Sequence, residues 1–386
     1  MEKRVYFDHA ATTAVRKEVL EAMTPYFSEV YGNASSLHSD GRTAFLAVEQ
    51  AREQLASLIG ASPGEVYFTS GGTESDNMAL KGTGIVSKRK HIICSPIEHP
   101  AVLYTAKALE RQGRSLTIVS VDSKGIVNPE EIRKAITPDT FIVSVMMANN
   151  EIGSIQPISE ISKITKEAGV LLHTDAVQVV GNYPVSVNEL GCDLLSLSAH
   201  KFYGPKGIGA IYIRKGTPMV AFMDGGEHEH GKRSGTYNTP GIVGLGKAAE
   251  LAKEELADRV KHVTSLRNFL IQGIMNIPEV ILNGSQNHRL PGNVHFSIRY
   301  VEGESLLLRL DDEGFSVSTG SACSSHSLKI SHVLQAIGLE AVDAQGSIRL
   351  SLGADNTEEE VKAFLSIFPN VVKELRDISP LYKKGH

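Results

Sequence analysis

Side chains able to do chemistry fall in a few short stretches of this 386-residue chain. Lys201, in Ser198-Ala199-His200-Lys201, follows an apolar run and precedes a glycine-rich turn. A lysine held beside an apolar strand is partly desolvated, gives up its proton more readily and can form a Schiff base with a carbonyl. Asp175 closes the run VLLHTD, where a carboxylate either pairs with a cationic nitrogen or caps a helix. Ser70-Gly71-Gly72-Thr73-Glu74-Ser75 lies between a strand and a helix start. Its bare backbone N–H groups either cradle a phosphate or open an ordinary capped helix. It is neither a GxGxxG fingerprint nor a GxxxxGK[ST] loop. Cys323, in STGSACSSHS, has small neighbours and no apolar run to bury it, so it is either a nucleophile or an incidental loop cysteine. Cys94 and Cys192 sit in apolar contexts and read as small core residues. In GGEHEHGKRSGT, residues 225–236, His228 and His230 alternate with Glu227 and Glu229. No further spaced ligand set accompanies them, so a solvated or anion-facing loop is expected and no metal.

These residues need elements to position them. Apolar spacing predicts helices over 15–31 and 39–60, then a strand over 65–69 leading into the glycine pair. Strands at 91–95, 116–121, 141–146, 170–175, 193–198 and 208–213 alternate with helices at 100–112, 129–136 and 158–169. Short, nearly all-apolar strands alternating with helices imply an α/β fold with a mainly parallel sheet covered on both faces. Beyond residue 250 the pattern changes. A helix over 257–274, strands near 278–282 and 294–300, a short helix at 304–314, and helices at 327–337 and 357–375 read as a smaller α+β domain. The expected division is 15–256 for the large domain, with 1–14 and 257–386 forming the small one.

Composition narrows the function. Lysine and arginine number 39 against 44 aspartates and glutamates, a net charge of −5 that disfavours a dedicated nucleic-acid binder. The 41% hydrophobic content supports a folded core. Three cysteines make no disulfide framework and point to a reducing cytoplasm. No signal peptide and no apolar run long enough for a membrane span are seen.

Together the motifs resemble the pyridoxal-phosphate cysteine desulfurases of fold type I, the iron–sulfur assembly and nitrogen-fixation type. The matching segments include YFDHAATT (6–13), YGNASSLH (31–38), SGGTESDN (70–77), EHPAVL (98–103), NNEIGSIQP (149–157), HTDAVQ (173–178), SAHKFYGPKGIGA (198–210), RSGT (233–236), GSACSS (320–325) and SIRLSLG (347–353). The resemblance implies pyridoxal 5′-phosphate held by Lys201, which also moves protons. Asp175 would keep the ring nitrogen protonated, His99 would stack on the ring, and Gln178 would bond the ring hydroxyl. Gly72, Thr73, Ser198 and His200 would hold the phosphate, joined by Thr236 from a second copy in a homodimer. Asn150 and Arg349 would bind the carboxylate of L-cysteine, with Asn150 also beside the ring hydroxyl. Cys323 would take the sulfur as a persulfide and pass it to an iron–sulfur scaffold or another acceptor protein. The long stretch between Cys323 and Arg349 resembles the class whose cysteine swings out to a scaffold. The alternatives are a selenocysteine lyase, a related aminotransferase, or an inactive assembly partner keeping the fold. Departures from the family pattern are His9, Ala34 in place of proline, and Glu227-His228 in a usual GGGQE segment.

Overall fold

The computed structural model describes residues 4–319, 330–380 and 382. In chain order its elements begin with β1 (Val5–Tyr6), α1 (Lys17–Met23), α2 (Pro25–Ser28), α3 (Ser39–Ile59), β2 (Val66–Thr69), α4 (Gly72–Asn77) and α5 (Thr83–Val86). Then come β3 (His91–Cys94), α6 (Pro100–Arg111), β4 (Ser115–Ile118), α7 (Pro129–Ala135), β5 (Thr140–Ser144), α8 (Ile158–Glu167) and β6 (Leu171–Asp175). They are followed by α9 (Val187–Leu190), β7 (Leu194–Ser198), β8 (Gly209–Ile213), α10 (Thr239–Ile274), β9 (Val280–Leu282) and β10 (Asn293–Ile298). The last are α11 (Gly303–Asp312), β11 (Phe315–Ser316), α12 (His332–Ala336), α13 (Ala341–Gln345), β12 (Ser347–Ser351) and α14 (Glu358–Ile378).

A seven-stranded sheet in the order β2-β8-β7-β6-β5-β3-β4 organises the larger part. β8 runs against both its neighbours, while β7, β6, β5, β3 and β4 are parallel. Because β2 also opposes β8, its direction matches β7. The fold is therefore α/β with a mainly parallel central sheet, as the sequence implies. Strands β5, β7 and β8 are buried along their whole length, which is what near-continuous apolar runs require when helices cover both faces. One face packs on α3, α8 and the first half of α10; the other packs on α6 and the π-helical turn Met78–Gly82 that joins α4 to α5.

The smaller part is built on the antiparallel sheet β12-β10-β9 and a short parallel pair, β1 with β11. Its core includes Phe7, Phe315, Phe364 and Phe368, with the last two rings stacked 4.8 Å apart. Aromatic pairs of this kind add about 0.5–1.5 kcal/mol beyond their buried area.

Local expectations needed correction in places. The helix expected over 15–31 is two, because Pro25 has no N–H to continue the ladder. The helix expected from 257 starts at Thr239, behind Asn238, whose side chain accepts from the Gly241 N–H at 3.2 Å. Glycines at 241, 244 and 246 thin its apolar pattern, yet they allow close packing: a Cβ on Gly244 would meet Met23 Sδ at 2.5 Å. The first half of this helix packs in the large core and the second half in the small one. SIRLS, recognised only as a motif, is the strand β12, and it pairs Arg349 with His295 of β10.

Candidate active site

Parallel strands send their C-terminal ends the same way, and that shared direction assembles the site. The segments after β2, β5, β6 and β7 carry Gly72-Thr73, Met146 to Asn150, Asp175 to Gln178, and Ser198 to Lys201. They converge on a cavity of about 320 Å³, within the roughly 300–1,000 Å³ range of small-molecule sites. Arg349, from β12 of the small sheet, closes another side.

The glycine pair is required by geometry. Gly71 has φ 153°, open only to glycine, and a Cβ on Gly72 would lie 2.6 Å from Val177 Cγ2. The backbone at the start of α4 is thus left bare toward the cavity. Ser198 is buried, and its Oγ lies 3.7 Å from where a Gly71 Cβ would sit. His200 Nδ1 is 3.1 Å from Thr12 Oγ1, and burial, aided by Lys201 and Lys206, holds its pKa down to about 4.

Lys201 follows β7 in a short 3-10 turn. Its Nζ donates to the carbonyls of Ala10 and Ala11 at 2.6 and 2.8 Å, and Gln178 Nε2 donates to Ala10 O at 3.0 Å. The N-terminal segment is therefore drawn across the cavity, and Thr13 continues the attachment by donating to His200 O.

Asp175 is buried at the end of β6 and accepts from the Val177 N–H at 2.9 Å. A turn, not a helix, follows it, so it caps no helix. Burial pushes its carboxyl up, while His99, the Val177 N–H and Lys201 pull it back. His99 caps α6: its Nδ1 accepts from the Ala101 N–H at 3.2 Å, so the ring's proton resides on Nε2. Burial lowers the pKa of this imidazole, and Asp175 opposes that. Just before it, Glu98 is fully buried, accepts from Ser95 Oγ and the Met146 N–H, and is pushed up to about 8 chiefly by burial.

Arg349 is 3% exposed and bonds Asp8 Oδ1 at 2.9 Å and the Asn150 carbonyl at 3.0 Å. Its Nε lacks a hydrogen-bond partner among the described residues. Glu151, next to Asn150, accepts from Ser331 Oγ at 2.5 Å and is pushed up to about 7 by burial.

The structure thus brings together Gly72, Thr73, His99, Asn150, Asp175, Gln178, Ser198, His200, Lys201 and Arg349. Thr236 is exposed and does not line this cavity. Cys323 lies outside the described residues. Cys94 and Cys192 are core residues, as read; burial pushes both thiols up, Cys192 to about 12. The 225–236 loop is not uniformly solvated. Glu227 is exposed, but Glu229 is 2% exposed and locked to Arg52 by contacts of 2.7 and 2.8 Å, with the Phe68 N–H at 2.7 Å. Among the described residues no group of three or more His, Cys, Asp or Glu is placed to hold a metal ion. Sequence reasoning gave no role to Asp76, Ala10 and Ala11, although all three lie inside the matched motifs.

A ring-bearing phosphate compound suits these walls: bare helix-start amides and a buried hydroxyl at one end, a buried carboxyl at another, and a lysine amine between. Pyridoxal 5′-phosphate meets all three. No described helix is long and apolar enough to cross a membrane.

The family model "Aminotransferase class-V" matches residues 5–364. The chain is 52% identical over 387 residues to the cysteine desulfurase IscS of Dictyoglomus turgidum, covering all of this chain and 98% of that one. It is also 52% identical to the cysteine desulfurase IscS of Methanosarcina thermophila, covering all of this chain and 96% of that one. Among solved structures, a NifS-like protein superposes with a TM-score of 0.91 at 44% identity, covering 96% of this chain and 100% of that one. SspA in complex with cysteine gives 0.81 at 36% identity over 92% of this chain and 100% of that one.

Proposed function

The chain belongs to the aminotransferase class-V family, and we propose that it works as a cysteine desulfurase, converting L-cysteine to L-alanine and passing the sulfur on through Cys323. Its cofactor is pyridoxal 5′-phosphate. The observation that carries the reading is the meeting of Lys201, Asp175, His99 and Arg349 at one cavity.

When bound, the cofactor supplies an electron sink that acidifies the substrate Cα–H. The protein does the rest. Lys201 anchors the cofactor, and its Nζ takes the proton from Cα. Asp175, buried in the cavity wall, would hold the ring nitrogen and keep it protonated. His99 would stack on the ring, and its neutral imidazole keeps Nε2–H available for proton movement. Gln178 and Asn150 serve the ring hydroxyl; Gly72, Thr73, Ser198 and His200 hold the phosphate. Arg349, held by Asp8 and the Asn150 carbonyl, presents its guanidinium to the substrate carboxylate. The Cys323 thiolate attacks the substrate sulfur. An S–S bond forms as the Cβ–S bond breaks, the electron pair stays on Cβ, and that carbon takes a proton to become alanine's methyl group. Cys323 is left as a persulfide.

The proposal extends to the assembly. Thr236 is exposed in the single chain, and the segment before it is tied to α4 by Arg233–Glu74 at 2.8 Å. It completes the cavity of a second copy in a homodimer. The lobes are 15–256, and 1–14 with 257–386. The enzyme works in the cytoplasm, and the acceptor is an iron–sulfur scaffold or another sulfur-carrying protein. Cys323→Ala should stop alanine release from L-cysteine while leaving the cofactor's absorbance in place. Alanine release equal to wild type would overturn the role of Cys323.

A further inference from the structure

Asp76, on α4, lines the same cavity as Asp175 and is 1% exposed. Its Oδ1 has no hydrogen-bond partner among the described residues. The nearest basic group to that oxygen is His173 Nε2, 3.5 Å away on β6. His173 cannot answer a negative charge. Its two ring nitrogens are engaged by Ser144 Oγ at 2.8 Å and Ser196 Oγ at 3.0 Å, and burial holds its pKa down to about 3. The other titratable groups facing Asp76 are Asp175 from β6 and Glu98 from the turn before α6, both of which oppose its ionisation; the Ser196 hydroxyl, a neutral donor, pulls the other way but is outweighed by burial. Asp175 is better provided for: it accepts a backbone N–H and has Lys201 and His99 nearby. Two carboxylates in one dry site cannot both ionise cheaply, and the charge settles on the one with donors and cations around it.

We propose that Asp76 is a positioning residue that carries a proton beside Asp175 in the cavity wall: Asp76 and Asp175 hold one negative charge between them, and Asp76, by staying neutral, confines it to Asp175. A cationic ring nitrogen bound there would then meet a single, fixed counter-charge. Burial and the neighbouring Asp175 charge, which both push the Asp76 carboxyl well above the usual carboxylate range, agree with this placement.

The inference rests on the cofactor reading for the identity of the cation, but its readout needs no turnover. Infrared difference spectra of the full-length holoprotein, wild type minus Asp76→Asn, should contain a protonated-carboxyl C=O stretch at neutral pH. That band should fade only at alkaline pH and be lost in Asp76→Asn. The pH titration of the bound cofactor's absorbance should lose an alkaline step in the variant. If Asp76→Asn yields no folded protein, labelling wild type with carboxyl-13C aspartate should move the band, whereas glutamate labelling should leave it in place. Absence of an aspartate band at neutral pH, or superimposable cofactor titrations in wild type and variant, overturns the proposal. The band is expected with or without cofactor. A chain that failed to desulfurate cysteine would thus refute the proposed function and leave this inference standing, and loss of the band alone would do the reverse.

Discussion

Beneath β2, Arg52 and Glu229 are each 2% exposed, and the guanidinium meets the carboxylate through two nitrogens while the Phe68 N–H fills a further site on Glu229. At the cavity, Asp76 and Asp175 line the wall and Glu98 lies just behind His99; all three are similarly buried, but an Asp76 oxygen and a Glu98 oxygen have no hydrogen-bond partner among the described residues. The first region answers its charges in full, so it holds a shape. It pins a loop whose Glu229 and His230 have φ of 49° and 54°, conformations that L-residues adopt at a cost. The second leaves its acids underprovided, which raises their proton affinity and keeps protons movable where a reaction needs them. Burial is common to both; completeness of pairing separates scaffold from chemistry.

The comparison can be broken at its reactive end first. Lys201→Ala should lower the initial rate of alanine formation from L-cysteine by at least about 10³-fold, or about 4 kcal/mol of barrier. A rate within tenfold of wild type would remove Lys201 from the chemistry. At the scaffold end, Glu229→Ala leaves the buried Arg52 guanidinium only the half-exposed Glu49 and the Val66 carbonyl, and should cost about 3 kcal/mol in urea unfolding. A loss below about 1 kcal/mol would mean the pair is no better than a surface bridge. Asp175→Asn removes a charged partner worth about 1.5–3 kcal/mol, so cofactor affinity, measured by equilibrium dialysis, should fall roughly 10- to 100-fold. Unchanged affinity would place the ring nitrogen elsewhere.

The smallest effect sharpens the contrast through pH. Burial holds Glu98 up at about 8, against about 4.3 for a free glutamate. The native state therefore keeps a proton that the unfolded chain releases between those values. Glu98's contribution to stability is full below about 4.3 and is lost as pH rises toward about 8. Glu98→Gln should make stability fall less steeply across that window. Parallel wild-type and variant curves would show Glu98 ionised in the folded protein.

Much of the site was legible because its residues lie at strand ends, and strands announce themselves by short apolar runs. Asp175 and Lys201 could be placed that way before any coordinates. The glycine pair could be read as a bare helix start, since both the chain direction and the missing side chains are local facts. The first half of α10 is hidden from the sequence pattern, because Gly241, Gly244 and Gly246 thin the periodic signal, Gly244 and Gly246 while serving close contacts with elements far away in sequence. Most of the loop 225–236 is exposed or half-exposed, as its composition implies, and Glu229 departs from this for a similar reason. An EHEH run looks solvated until Arg52, 177 residues away, turns Glu229 inward.

The amino-acid order by itself determined the α/β alternation, the polar residues at strand ends, and the segregation of Cys94 and Cys192 into apolar runs. Each depends on interactions within a few residues, where periodicity and burial preference act directly. Tertiary structure alone decided that Ala10 and Ala11 would offer their carbonyls to Lys201, that Arg349 would lie between Asp8 and Asn150, and that Asp76 would lie against His173 and share its cavity with Asp175. Such meetings join segments far apart in the chain. They exist only once the sheet has closed and the dry interior has made the pairing, or non-pairing, of each charge matter.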